Sequence, residues 1–160
     1  MPNYCDNRLT LTHSDPAMIT RAIEAFKRGE FCSEFVPQPE DEEDWYSWNV
    51  NNWGTKWNVG NEDVNEQTDP NTFEVSFDSA WTPPLALYDT LQEEYGFEVI
   101  AYYYEQGCEF CGKFDAYGDH CYEIDGNSEW VKENIPEDIE EQFNIVEEME
   151  YWEETEEEFD

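Results

Sequence analysis

The sequence predicts an α+β fold: a ferredoxin-like β-α-β-β-α-β sheet with extra strands and an acidic C-terminal helix. Three observations carry that prediction. Two segments couple a period-two apolar run to a helix start marked by proline, Ser14-Asp15-Pro16 and Thr82-Pro83-Pro84. Further period-two runs between and after them supply the remaining strands, and the resulting order is that of a split β-α-β arrangement. The chain then ends in a run of acids that still carries an apolar stripe at helical spacing.

Arg8-Leu9-Thr10-Leu11-Thr12 places Leu9 and Leu11 on one face of a first strand. After Ser14-Asp15-Pro16, Ile19, Ala22, Ile23 and Phe26 recur at helical spacing until Gly29 stops the helix. Pro37, Pro39 and an acidic run make 31–44 a surface loop. Between Trp45 and Val59, Trp48, Val50 and Asn52 alternate against Asn49, Asn51 and Trp53, which predicts a strand leading into a turn at Gly54. Residues 61–71 are polar and turn-rich. Phe73, Val75 and Phe77 then alternate with Glu74, Ser76 and Asp78 as a half-buried strand. Leu85, Tyr88, Leu91 and Tyr95 form the stripe of a second helix ended by Gly96. Phe97 to Tyr104 reads as a strand covered on both faces, and 110–124, punctuated by Gly112, Gly118 and Asp119, as a hairpin.

From Glu133 onward there are fourteen acids and no Lys or Arg. Ile135, Ile139, Phe143, Val146, Met149 and Trp152 nevertheless step by three or four, so one amphipathic helix is predicted, which must dock or meet a partner. The chain divides into a ferredoxin-like domain, 1–128, and an acidic amphipathic helix or tail, 129–160. Glu147, Glu148, Glu150, Glu153 and Glu154 sit at the end of that helix, where the macrodipole disfavours each negative charge by about 0.3–1 kcal/mol. Their placement does not serve helix stability.

Composition narrows the function. Against 41 Asp and Glu stand seven Lys and Arg, a net charge of −34 in 160 residues. Solubility needs a magnitude of only about 2–8. Duplex DNA carries a charge every ~1.7 Å of axis, so this charge equals that of roughly 58 Å of duplex, on a body with a radius of gyration of about 15 Å. Nucleic acid is repelled, whereas a basic groove that holds nucleic acid is attracted. Seven Trp, ten Tyr and ten Phe provide a core that a disordered acidic chain lacks. Salt adaptation also enriches acids, but this aromatic content and the concentration of acids at one end speak against it. No signal-peptide pattern or membrane-length apolar segment is present, and five cysteines, an odd number, read as reduced thiols in a cytoplasm.

Pro2-Asn3-Tyr4-Cys5-Asp6-Asn7-Arg8-Leu9-Thr10, Asn52-Trp53-Gly54-Thr55-Lys56-Trp57, Ala80-Trp81-Thr82-Pro83-Pro84, and Tyr103-Tyr104-Glu105-Gln106-Gly107-Cys108 with Phe110 and Gly112 are four blocks in a fixed order. Together they resemble a phage- and plasmid-encoded ferredoxin-like family, sometimes called YubB-like, whose members begin Pro-Asn-Trp-Cys-x-Asn; Tyr4 stands at the usual Trp. The resemblance covers residues 1 to about 118. It implies the fold and a mobile-element origin and brings no activity with it. The acid-rich end lies outside the blocks and suggests a specialised member.

Among chemical constellations, Cys108, Cys111, His120 and Cys121 offer four soft donors, but the second pair is adjacent rather than spaced for zinc. Buried thiols on strands are the plainer reading, and a small zinc-binding regulator is the alternative. Tyr4, Trp48, Trp53, Trp57, Trp81 and the tyrosines at 102–104 could stack bases, yet such platforms sit in basic grooves; core packing with an aromatic rim is expected instead. His13 and His120 lie in no nucleophile, phosphate-loop or metal-hydrolase motif, so no enzyme and no cofactor are expected.

The sequence therefore predicts a phage or mobile-element counter-defence protein, of anti-CRISPR or anti-restriction type, that mimics nucleic acid. It would block the basic groove of a host nucleic-acid-binding complex, in the bacterial cytoplasm, without membrane or direct nucleic-acid contact. The expected contact residues are Asp41, Glu42, Glu43 and Asp44 on one patch and Glu140, Glu141, Glu147, Glu148, Met149, Tyr151, Trp152, Glu153 and Glu154 on the C-terminal helix. The competing expectation is an assembly module of a mobile element, a possible homodimer.

Overall fold

A computed structural model describes residues 3–61, 64, 67 and 69–159. The strands are β1 (Tyr4–Thr12), β2 (Thr72–Ala80), β3 (Glu98–Glu105), β4 (Phe110–Asp115) and β5 (Gly118–Glu123), forming one sheet in the order β2-β1-β3-β4-β5 with every neighbour antiparallel. Since β2 and β3 both oppose β1, they run parallel to each other on either side of it. The helix α4 (Leu85–Glu93) joins them, which completes one split β-α-β unit. The turn-rich stretch expected at 61–71 falls partly outside the described residues, at 62, 63, 65, 66 and 68.

The first sheet face carries Leu9, Leu11, Phe73, Val75, Phe77, Val99, Ala101 and Phe114, the alternate residues that period two selects. Against it pack α1 (Pro16–Lys27), α2 (Phe31–Phe35) and α4. Helix α1 starts where the sequence marks it, with the Asp15 carboxylate accepting the Ala17 N–H at 2.9 Å and Pro16 in the first turn. Phe26 anchors this layer, its ring edge-on to Phe31, Phe73 and Phe77 at centroid distances of 5.9, 5.8 and 5.6 Å.

Three local expectations are corrected. The surface loop predicted from Phe31 begins with α2, because Phe31, Cys32 and Phe35 reach the core while Asn58 Oδ1 accepts the Cys32 and Ser33 N–H groups. The strand predicted within 45–59 is the helix α3 (Trp45–Asn52). Asp44 caps it by accepting the Ser47 N–H at 3.2 Å. Asn49 is buried between the Lys56 carbonyl and the Gln38 amide, and the Trp53 indole N–H reaches the Val36 carbonyl at 2.7 Å. The Trp/Asn alternation coincides with the i, i+4 spacing of Asn49 and Trp53, and burial selects the helical period.

The third correction concerns the C-terminus, which is three helices rather than one: α5 (Ser128–Asn134), α6 (Glu137–Phe143) and α7 (Ile145–Phe159). Pro136 separates the first two, and Asn144, at φ 51°, closes α6 in the left-handed conformation. Glu147 and Glu148 therefore stand in the first turn of α7, where the macrodipole favours them, and not at a disfavoured helix end. The apolar stripe is used inside the chain. Ile135, Ile139 and Ile145 are buried with Cys111, Ile124 and Val131, and Tyr102, Tyr104, Tyr122, Phe143, Val146 and Met149 pack around them. This second cluster covers the β3–β4 part of the second sheet face, while Glu74, Ser76 and Asp78 of β2 stay exposed.

Candidate acidic contact surface

The electrostatics of the surface follow from where the seven cations go. Arg8 lies over the Phe143 ring and donates to the Gln142 carbonyl at 2.9 Å; Arg21 and Arg28 share Glu34 at 2.8 and 3.3 Å. Lys27 faces Glu24 at 4.0 Å, Lys113 meets Asp138 at 3.2 Å, and Lys132 meets Glu150 at 2.9 Å and Glu129 at 3.1 Å. Lys56 sits over the rings of Tyr46 and Trp57. Such half-exposed pairs add little stability. Their consequence is that every cation of the chain is engaged internally, so the excess of acid faces solvent uncompensated.

The predicted contact acids separate into two groups. Some serve the fold. Asp44 caps α3 and Glu42 accepts the Asp44 N–H at 3.2 Å. One carboxylate oxygen of Glu140 accepts the Val146 N–H at 3.0 Å, tying α6 to the start of α7. Glu153 accepts both the N–H and the hydroxyl of Ser128, at 3.0 and 2.8 Å, and so clips α7 to the start of α5. Met149 packs on the second cluster, and Glu148 is half-buried near Tyr104, whose phenol is raised by burial and then by Glu148. The others face outward: Asp41, Glu43, Glu141, Glu147 and Glu154 are exposed, with Tyr151 and Trp152 at 63% and 54%. This division depends on tertiary clips, for which helical periodicity has no signal.

The Ser128 backbone N–H, followed by its hydroxyl, holds the Glu153 carboxyl below the ordinary glutamate range. A lowered carboxyl favours the folded state above its unfolded value, and that contribution is lost as pH falls through the folded one. The Ser128 amide resonance in NMR should therefore titrate with a midpoint below that of a free glutamate. A midpoint at or above the free value would contradict the clip.

The four soft donors do not converge. Cys111 is buried against α5–α7 on the second face, and His120, opposite Lys113 in the register, shares that face. Cys121 lies opposite Gly112 and so belongs to the first face, but like Cys108 in the β3–β4 turn it is exposed, so of the three thiols expected to be buried only Cys111 is. Burial pushes the Cys111 thiol up to about 12 and raises Cys121, and a hydrogen bond with Glu105 raises Cys108, so all three are protonated thiols at neutral pH. Among the described residues no group of three metal-ligating side chains forms. His13 is structural, its ring nitrogen 2.8 Å from the Tyr95 carbonyl and its ring edge-on to Phe97. Of the aromatics, Trp53 and Tyr103 are core, Tyr102 and Tyr104 lie under the C-terminal helices, and Tyr4, Trp57 and Trp81 form the rim.

Sequence reasoning missed what the four blocks do together. The Trp81 N–H donates to the Asn3 carbonyl at 2.8 Å, Thr55 to the Ala80 carbonyl at 3.0 Å, and Thr82 to the Gly54 carbonyl at 2.6 Å. Asn3 reaches the Cys108 sulfur at 3.7 Å, and buried Glu105 accepts the Gly107 and Cys108 N–H groups at 2.7 Å each. The blocks thus lace one end of the sheet. Beside them opens a cleft of about 690 Å³ with Tyr103 and Phe110 in its wall and Glu109, Asp119, Glu123 and Asp125 among its lining carboxylates. Among the described residues no Lys or Arg lines it, so its chemistry suits a cationic group rather than an anion.

A sheet carrying a split β-α-β unit, with helices packed on both faces, defines this protein as a ferredoxin-like α+β domain. Residues 52–159 match the family described as the ferredoxin-like domain in Api92-like protein, and the chain belongs to that family. The matched region takes in the acidic helices α5–α7. The crystal structure of a protein api92 from Yersinia pseudotuberculosis has the same fold, with a TM-score of 0.53 at 11% identity over 79% of this chain and 99% of that one. No curated protein matches the chain. No helix among the described residues is long and apolar enough to cross a membrane.

Proposed function

We propose that this protein is a counter-defence factor of a phage or plasmid, of anti-CRISPR or anti-restriction type. It acts non-enzymatically in the host bacterial cytoplasm, occupying the basic groove of a nucleic-acid-binding complex in place of nucleic acid. The observation that carries the reading is the net charge of −34 combined with the internal engagement of all seven cations. A surface so arranged attracts a basic groove over several ångströms and repels DNA, RNA and anionic membrane alike. The mobile-element origin rests on the resemblance of the four sequence blocks. Homodimerisation is the less favoured alternative, because two such copies repel each other.

The outward acids Glu141, Glu147 and Glu154 are the phosphate-like groups on the C-terminal helices, with Tyr151 and Trp152 as apolar anchors beside them. Combining Glu141→Lys, Glu147→Lys and Glu154→Lys should reduce capture of a nucleic-acid-processing complex from bacterial lysate by tenfold or more at low salt. The melting temperature should fall by no more than the small loss expected from Glu147→Lys, which sets a positive charge against the dipole in the first turn of α7, since among the described residues no side-chain hydrogen bond or ion pair involves any of the three. Undiminished capture would remove α6 and α7 from the contact.

A further inference from the structure

The exposed aromatics are not scattered. Trp45 and Tyr46 stand in the first turn of α3 with ring centroids 6.0 Å apart, and the Lys56 ammonium lies 5.7 Å from the Tyr46 ring and 4.8 Å from the Trp57 ring. Val50 follows Tyr46 by one helical turn. Trp45, Tyr46, Val50 and Trp57 are 47%, 45%, 42% and 37% exposed. Single exposed apolar side chains need no explanation, but a linked group of them does. The opposite side of α3 already holds the helix in place through Asn49 and, just beyond it, Trp53, so folding does not require this one. Large aromatics rimmed by polar groups are the composition of an interface centre.

Two features identify the occupant. Asp41, Glu42, Glu43 and Asp44, all exposed, run directly into the first turn of α3, so the patch is bordered by carboxylates. The ring faces already hold a cation, the chain's own Lys56. Aromatic planes beside carboxylates suit guanidinium best, because it stacks on a ring and pairs with a carboxylate in a fork, neither of which a compact ammonium does as well. A second copy of the chain brings the same negative field and is excluded by repulsion.

We infer that the α3 face, Trp45, Tyr46, Val50 and Trp57 with its acidic border, docks an arginine-bearing protein surface, the guanidinium displacing Lys56 from between Tyr46 and Trp57. This rests on the reading of the chain as a binder of basic partners and adds where arginine is selected over lysine.

The test uses the full chain with deca-arginine and deca-lysine peptides, binding being followed by anisotropy of a dye on the peptide across a salt series. Wild type should bind both and prefer deca-arginine by about tenfold, the size that one or two cation–π contacts confer. Trp45→Ala with Trp57→Ala should abolish the preference while leaving salt-sensitive binding in place. Lys56→Gln, which leaves the rings free, should strengthen deca-arginine binding severalfold; the two variants act in opposite directions, so misfolding cannot imitate the result. Equal affinity of wild type for both peptides, or a preference that survives loss of both Trp, overturns the inference while sparing the general reading. Failure of wild type to bind either peptide overturns both. Wild-type binding to zwitterionic phosphatidylcholine vesicles that is lost with Trp45 and Trp57 would overturn it in favour of a membrane contact.

Discussion

Deleting residues 135–160 should abolish most of the stability of the domain rather than release an independent tail. The deletion takes Ile135, Ile139 and Ile145 from the second cluster and uncovers Cys111, Ile124 and Val131. Fully burying an isoleucine contributes about 1.5–3 kcal/mol, so the three together represent about 5–9 kcal/mol. That compares with a total of about 5–15 kcal/mol for a typical domain. Loss of the Lys113–Asp138 pair and of the Glu153 clip adds to the deficit. Calorimetry or chemical denaturation of the shortened chain should show a lost or much weakened transition. A shortened chain that melts like the full one would mean that the second sheet face does not need its cover. Contact by the C-terminal acids is accordingly tested by substitution, as with Glu141, Glu147 and Glu154, and not by truncation.

Gly112→Ala should be clearly destabilising through one methyl group. A Cβ at this position of β4 would fall on the Tyr103 phenol across the β3 register and lie 2.6 Å from the His120 carbonyl on the β5 side. Neither neighbour can yield easily. Tyr103 is buried, edge-on to Phe110 at 6.0 Å and hydrogen-bonded through its hydroxyl to Asp119, and the carbonyl belongs to a paired strand. Overpacking of this kind costs about 1–3 kcal/mol, or roughly 2–12 °C in melting temperature for a chain of this length. Tyr103→Leu in the same chain should recover part of the loss, a coupling that a double-mutant cycle measures. An unshifted Gly112→Ala variant would contradict the packing at this sheet crossing.

What the sequence disclosed divides along physical lines. In β1, β2 and β3 the alternation of burial is a local property, and one covered face selects the same residues that polarity selects, so these strands were legible from Leu9 and Leu11, from Phe73 to Phe77, and from Phe97 to Tyr104. The helix starts at Pro16 and Leu85 were legible for the same reason, although Thr82 binds the Gly54 carbonyl instead of capping its helix. Residues 45–52 were ambiguous, since Trp and Asn satisfy both periods and only the burial of Asn49 decides between them. Pro136 and Asn144 carried the signals that break the C-terminal helix, but the apolar steps from Ile135 to Trp152 run through them undisturbed.

The candidate contact surface was legible as charge and not as geometry. The sequence identified the acids at 41–44 and 140–154, and nothing in it distinguished Glu153, spent on Ser128, from Glu154, which faces solvent. The zinc alternative failed for a reason already implicit in strand periodicity: adjacent His120 and Cys121 point to opposite faces of the sheet. The exposed aromatic face of α3 is invisible in a segment whose alternation reads as a strand.

The most direct test of acidic mimicry is displacement. A host nucleic-acid-binding complex captured by this protein at low salt is loaded with a fluorescent oligonucleotide of its own specificity, and the full chain is titrated in at several salt concentrations. The account predicts complete, competitive release of the oligonucleotide, with an apparent affinity that falls steeply as salt rises. Simultaneous retention of oligonucleotide and protein on the same complex would contradict it.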